Sequence, residues 1–580
     1  MTDAANVTAV VAVTVATAGI GAYGVRLSRT TSDFYVAARS VTPLWNASAI
    51  SGEYLSAASF LGVAGLIMAY GADMLWYPVG YTVGYLVLLL LVAAPLRRSG
   101  AYTLPDFAES RLQSRTVRRV ATILVVLIGW LYLMPQLQGA SLTLHTTTGA
   151  PSWLGGVVVA VVVLGNVVAG GMRSITFVQA FQYWLKVVAL SAPLVFILLA
   201  WHGQGAPSPV ATELPTVRQD TTLRLPTALE LAVAHSTRLV MRGSLDGTRV
   251  DGSVVLGAGQ HEVAAGTVLQ LRAGDAVPQV VGASTQRNAA WASPLGGTTS
   301  ADHPLYSTYS LVMATFLGTM GLPHVLVRFY TNPDGPAARR TTLMVLVLLS
   351  GFYLLPTVYG ALARLYTPDL LTTGQTDSAV LLLPGRLVGG TLGELLSALV
   401  TAGAFAAFLS TSSGLTVSIA GVIAQDVLPM LGSVRAFRVA SVLAVLVPLG
   451  LAMVATRLPV ADAVGLAFAV AASSFCPLLL LGIWWRRLTS VGAVAGLVVG
   501  GGLASAAVVV TVATNPGRGW PGALLAEPAA WCVPLAFAVM VIVSLATQSQ
   551  VPAGTNRALA RMHVPEVVWP ERPPVTARVP

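Results

Sequence analysis

The chain has 580 residues, 55% of them hydrophobic and only 10% charged, with 33 Lys and Arg against 23 Asp and Glu. Soluble domains carry about a quarter of their residues as charges, whereas here apolar runs of about 20 residues, each long enough to cross a bilayer as a helix, recur from end to end. This excludes an ordinary soluble fold. The net charge of +10 does not point to nucleic acid either, because the arginines sit in short loops between apolar runs, the mark of a cytoplasmic membrane face.

In chain order, the apolar runs predict helices at about 5–27, 44–70, 74–96, 118–147, 153–172 and 176–201. No Lys or Arg precedes the first run, while Arg26, Arg29 and Arg39 follow it. A cleaved leader has the reverse order, so a retained first helix with its N-terminus outside is expected. Residues 202–305 differ in kind: TRLVMRGSLDGTRVDGSVVLGAG and HEVAAGTVLQLRAG alternate apolar and polar residues, with turn signals at Asp246-Gly247 and Ala273-Gly274. They predict a small β-rich insertion, which the helix count places outside and which need hold no ligand. Seven further helices follow at about 306–328, 341–363, 388–423, 436–456, 460–484, 490–514 and 529–547, and the Pro- and Arg-rich tail 548–580 reads as flexible and cytoplasmic.

The expected architecture is therefore an all-α polytopic protein of the plasma membrane with about thirteen spans. Spans 1–6 lie in 1–201, the β-rich extracellular insertion in 202–305 and spans 7–13 in 306–547. The arginines agree with this count: 21 fall on the predicted inside and four (Arg364, Arg386, Arg457 and Arg518) in short outside loops, the bias that sets orientation.

Two spans are interrupted. Span 2 carries Gly52, Glu53, Ser56, Ser59 and Gly62 in mid-run, so that it should break near 52–57, and span 7 carries Gly318, Gly321, Pro323 and His324 in FLGTMGLPHVLVRF. Proline removes a donor and glycine loosens a helix, and in lipid such backbone persists only where it packs in protein or lines a wet cavity. Their starts are five spans apart, and they run in opposite senses. They are read as the first members of two inverted five-helix repeats, spans 2–6 and 7–11, the arrangement that marks a transporter's central site. In span 9, AAFLSTSSGLTVSIAG (406–421) is dense in hydroxyls. These hydroxyls can bond the preceding turn or glue helices together, or Ser410 and Thr411 can present hard oxygens to a cation.

These residues resemble the sodium:solute symporter family, whose inverted-repeat fold was first seen in a leucine transporter. SDFYVAARSVTP, GAYTLPDFAESR, GGMRSITFVQAFQ and LSTSSGLTVSIAGVIAQDV look like family motifs, and GEYLSAASFLG and GLPHVLVRFYT look closest to the acetate and monocarboxylate branch. The resemblance covers roughly 30–200 and 305–500. It implies a Na⁺ site made from the carbonyls of Gly52, Leu55 and Ala407 and the hydroxyls of Ser410 and Thr411, with Na⁺ or H⁺ as the coupling ion and no other cofactor. The branch usually has Asp where Glu53 stands. Glu53 is expected to have a structural or electrostatic role near the cation, to carry a proton, or to contact substrate, since a bare carboxylate at mid-bilayer is costly.

Substrate class rests mainly on the resemblance. The sugar-carrying branch places a Glu-Gln pair after the Ser-Ala of span 2, where this chain has Ala58 and Ser59. A small pocket walled by Tyr54, Ser56, Ser59 and Phe60 suits a small solute, and Thr319, His324 and Arg328 could serve a carboxylate. Alternatively, Arg328 marks the cytoplasmic end of its span and His324 is a packed polar residue. Trp76 and Tyr77 suit an aromatic belt, Glu394 and Asp462 interfacial positions, and Asp426 a loop or cap. Lys186, the chain's one lysine, should snorkel. Cys476 and Cys532 form no metal or disulfide pattern, and no nucleotide loop or triad points to an enzyme. The expected activity is uptake of a small monocarboxylate such as acetate by symport with a cation. Proline or another small organic solute is the alternative, as is a transporter-like sensor, for which the tail is too short to hold a kinase module.

Overall fold

The computed structural model describes residues 2–27, 42–225, 227–233, 236–280, 287–295, 303–431, 433–454, 459–514 and 519–565. Arg29, Arg39, Arg457 and Arg518, most of the SDFYVAARSVTP motif and the end of the tail lie outside these residues. The protein is a mostly helical, multi-pass membrane protein. Eleven helical stretches among the described residues are long and apolar enough to cross a membrane, against thirteen expected. The difference has two sources. Ala58–Ser99 runs continuously through what the sequence divides into spans 2 and 3, and what it divides into spans 5 and 6 lies on one 50-residue helix, Leu154–Gly203.

The helices that build the centre are α1 (Thr2–Leu27), α2 (Pro43–Tyr54), α3 (Val63–Tyr70), α4 (Trp76–Val87), α5 (Arg115–Thr148), α6 (Leu154–Gly203), α7 (Pro304–Gly321), α8 (Pro323–Val327), α9 (Gly335–Tyr366), α10 (Gly390–Asp426), α11 (Ser433–Val454), α12 (Val460–Trp484) and α13 (Ala529–Ala546). α2 starts on Thr42, whose backbone is extended, with Pro43 in the first turn, where a missing N–H costs nothing. Both interrupted spans are broken. α2 stops at Tyr54 and resumes through a π-helical turn, Ala58–Gly62. α7 gives way to α8 at Leu322, which is extended at φ −73°, ψ 114°, as a residue before proline tends to be.

Glycines set two close approaches. A Cβ on Gly52 would lie 2.2 Å from the Gln179 carbonyl oxygen, so α2 and α6 touch backbone to backbone there. Gly318 and Gly321 do the same for α7 against the Phe468 and Ala471 carbonyls of α12.

Seven antiparallel strands, β1 (Thr221–Arg224), β2 (Leu229–Val233), β3 (Thr237–Leu245), β4 (Thr248–Leu256), β5 (Gly259–Val263), β6 (Val268–Leu271) and β7 (Gln279–Val280), form one sheet ordered β1-β6-β3-β5-β2-β7 with β4 paired to β3. Its apolar core is continuous with Met68 and Ala69 of α3 and with Leu370 and Leu371. A short helix, Asn288–Ala292, ties the sheet down further. Trp291 Nε1 donates to the Ile67 carbonyl at 2.6 Å, and Arg364 donates to Asn288 Oδ1 at 2.9 Å. The tail, expected to be flexible, contains a helix, Thr555–His563. Arg111 donates to Thr555 Oγ1 at 3.2 Å, and the His563 ring packs edge-on against Trp484.

Candidate cation and solute site

The site begins at the break in α2. Leu55 adopts φ −74°, ψ 81°, and the Ser56 N–H donates to the Tyr54 carbonyl at 2.8 Å instead of reaching back to Gly52. The Ala57 N–H, which a continuous helix would give to Glu53, donates to Gln136 Oε1 of α5 at 3.0 Å. The carbonyls of Gly52, Glu53 and Leu55 are thus turned outward from the helix, and buried carbonyls need partners.

The partner of two of them is Lys186. Its Nζ donates to Gly52 O, to Leu55 O (2.7 Å) and to Ser410 Oγ of α10 (2.9 Å), and the side chain is fully buried. Snorkelling is therefore wrong for this lysine: it points into the core because α6 meets α2 at Gly52. The Ser410 hydroxyl donates to the Ala407 carbonyl at 3.0 Å, and the Thr411 hydroxyl donates to the Glu53 carbonyl at 2.6 Å. All five residues expected to bind the cation come together, and their oxygens are engaged within the chain.

Glu53 does not stand bare. Its Oε2 accepts from Arg328 Nε at 2.7 Å and from Gln179 Nε2 at 3.4 Å, with both ionic side chains 1% exposed. Arg328 also donates to Thr176 Oγ1 at 2.8 Å and to Gln179 Oε1, and Gln179 Nε2 continues to the Ser410 carbonyl at 2.8 Å. Arg328 is thus an ion-pair partner rather than an end marker. Room for the carboxylate comes from Gly414, where a Cβ would lie 2.1 Å from Glu53 Cδ.

Beside this network lies a cluster of rings. Tyr54 meets Tyr85 edge-on at 4.8 Å and Tyr81 at 5.9 Å between centroids, Tyr81 meets Phe468 at 4.9 Å, and Tyr132 meets His324 at 5.1 Å. Tyr54 Oη shares a 2.8 Å hydrogen bond with Thr319 Oγ1, and Ser59 Oγ one of 2.9 Å with Tyr353 Oη. Ser56 is buried at the break, whereas Phe60 faces Phe352 and Gly403. Tyr81 Oη, Tyr85 Oη and both ring nitrogens of His324 are buried without a hydrogen-bond partner among the described residues. Tyr77 closes the cluster on one side by donating to Asp462 Oδ1 at 3.0 Å. Asp462, half-buried in the first turn of α12, is the acceptor of that bond. Both also line a cavity of about 230 Å³, together with Tyr70 and Glu527.

Sequence reasoning misplaced Lys186 and missed Gln179, Gln136, Tyr81, Tyr85, Tyr132 and Tyr353. Gln179 and Lys186 are seven residues apart, on one helix face, and Tyr77, Tyr81 and Tyr85 recur every fourth residue. Both were detectable signals.

The model of the sodium:solute symporter family matches residues 34–500. The chain belongs to that family. Within it, the chain is 32% identical to a monocarboxylic acid transporter of Corynebacterium glutamicum over 545 residues, covering 88% of this chain and 86% of the relative. It is 29% identical over 534 residues to the uncharacterized symporter YwcA of Bacillus subtilis, covering 89% of each. A Na⁺-coupled sialic acid symporter, solved substrate-bound and outward-open, shares the fold at TM-score 0.62 and 14% identity, covering 94% of this chain and 97% of that one. Family membership makes this a transporter rather than an enzyme, one that moves a small solute across the membrane coupled to a cation.

Proposed function

We propose that this symporter takes up a small monocarboxylate such as acetate, and that the solute binds at the ring cluster between α2, α4, α5 and α8. One observation carries the reading: among the described residues, buried donors on Tyr81, Tyr85 and His324 lack partners next to a carboxylate already neutralised by Arg328. Orphaned buried donors are costly, and the oxygens of a small carboxylate would satisfy them. The neutralised Glu53 removes the repulsion that a bare carboxylate would exert on an anion. The monocarboxylic acid transporter among the relatives supports the same substrate class.

The junction where Gly52, Leu55, Ala407, Ser410 and Thr411 meet is read as the coupling site. Family membership and the Na⁺-coupled neighbour support Na⁺ as the driving ion. The ammonium lying on those oxygens supports a cycle driven by protons. Thirteen crossings, of which spans 2–11 make up two inverted five-helix units, with the N-terminus and the sheet outside and the tail in the cytoplasm, accord with the arginine distribution. This count takes Ala58–Ser99 as part of two spans and Leu154–Val168 as one.

The test is uptake of radiolabelled acetate into proteoliposomes under a Na⁺ gradient and, separately, a pH gradient. Protein-free liposomes and a Tyr85→Phe/His324→Ala variant define passive leak. Uptake above both controls is expected, and the gradient that drives it identifies the ion. Protein-dependent accumulation of proline without acetate would overturn the substrate assignment.

A further inference from the structure

We infer that the ammonium of Lys186 is a tethered cation standing in the place of Na⁺, so that the junction of α2, α6 and α10 does not take sodium in this chain. The inference rests on the reading of that junction as the coupling site of a symporter. An ammonium has three protons to donate, and Nζ has three acceptors here: Gly52 O, Leu55 O and Ser410 Oγ. The remaining two oxygens of the expected sodium shell are also engaged. Ala407 O receives the Ser410 hydroxyl, which leaves the Ser410 lone pairs facing the lysine, and the Thr411 hydroxyl is turned to Glu53 O. No oxygen of the five is left for a second cation.

Charge leads to the same result. Glu53 and Arg328 pair with each other, so Lys186 adds one net positive charge, the charge Na⁺ would bring. Among the described residues, the flanking α1 and α10 offer nothing to neutralise a second one. The described part of α1 from Ala4 to Tyr23 has no charged residue, and the only ones on α10, Glu394 and Asp426, lie at its two ends. Two like charges this close in a buried pocket repel strongly. The geometry is also built in, because glycine at position 52 lets α6 come close enough for the lysine to reach. Unlike Na⁺, a tethered ammonium cannot leave with the solute, so a Na⁺ gradient is not spent through this junction.

The test uses purified full-length protein and no transported solute, so a failed acetate assay would leave it standing. Thermal unfolding is followed in NaCl against choline chloride at equal ionic strength, for wild type and for Lys186→Ala. Removing the ammonium bares three hard oxygens, and the variant is expected to gain a saturable, Na⁺-specific rise in Tm of at least about 2 °C that wild type lacks. A folded variant with no more Na⁺ response than wild type would overturn the inference.

Because Lys186 is the only lysine in the chain, ¹³Cε-lysine labelling gives one assigned NMR signal, which needs no variant to fold. That signal is expected to be the same in both salts. A saturable displacement by Na⁺ in wild type would mean that sodium enters and the ammonium moves aside.

Discussion

At the scale of single residues, the Glu53–Arg328 pair is held in place by its neighbours and exposed to single changes. Removing one member of a buried ion pair strands a charge, at a cost of about 3–5 kcal/mol, whereas replacing both with apolar groups of similar volume is often near neutral. Arg328→Met is therefore expected to lower the thermal midpoint sharply, and Glu53→Met/Arg328→Met to recover most of the loss. Equal losses in the single and double variants would show that the pair is not the source. The sequence placed Gly52, Leu55, Ala407, Ser410 and Thr411 together because family motifs fix carbonyl and hydroxyl positions along a helix. It misplaced Lys186 because snorkelling is a rule about reach. Whether four methylenes run to the interface or to the core depends on which helix lies opposite, and that was set by the Gly52–Gln179 backbone approach, a contact 127 residues apart in sequence.

At the scale of elements, both helix breaks were legible, because each span gathers glycines with Glu53 and serines, or with Pro323 and His324, in mid-run. What supports the breaks was not. The N–H of Ala57, released where α2 stops, is satisfied by Gln136 from α5, and nothing in either local sequence announces that pairing. A buried polar group left unsatisfied costs about 1–3 kcal/mol, so Gln136→Met should destabilise the protein by roughly that amount. It should also shift amide hydrogen exchange at residues 55–60 more than at the unbroken α12. Uniform acceleration across both would assign the glutamine an ordinary packing role. The tyrosine stripe of α4 is similar: its spacing is visible in WYPVGYTVGYLV, but only the packing of α4 on α7 through Gly80 and Gly84 turns that stripe toward Tyr54.

At the scale of the whole molecule, the sheet and the membrane helices share one apolar cluster. Trp291 and Arg364 hold the end of α3, the continuation of the broken helix, so the stability of the sheet bears on the element that frames the site. One pair in that sheet makes the link sensitive to pH. His261 Nδ1 lies 2.8 Å from Asp246 Oδ2, and the same carboxylate accepts the Glu262 N–H at 2.7 Å. The hydrogen bond to Asp246, with that to the Gly257 carbonyl, raises the histidine above its ordinary value of 6.5, and the bond from His261 holds Asp246 below its ordinary 3.8. For a group raised on folding, the stabilisation is complete below the unfolded value and fades as pH rises through the folded one. The share due to His261 is thus present at pH 6 and lost on the alkaline side of its raised value, while that of Asp246 is lost only in acid. Histidine NMR of the full-length protein, assigned with His261→Gln, should place the wild-type midpoint above 6.5 and return it toward 6.5 in Asp246→Asn. Hydrogen exchange of residues 244–263 should quicken across the same pH interval in wild type, beyond the intrinsic rise, and not in the variant. A wild-type midpoint at or below 6.5 would mean that the pair does not form in solution, and the pH sensitivity of the sheet would then have to come from elsewhere.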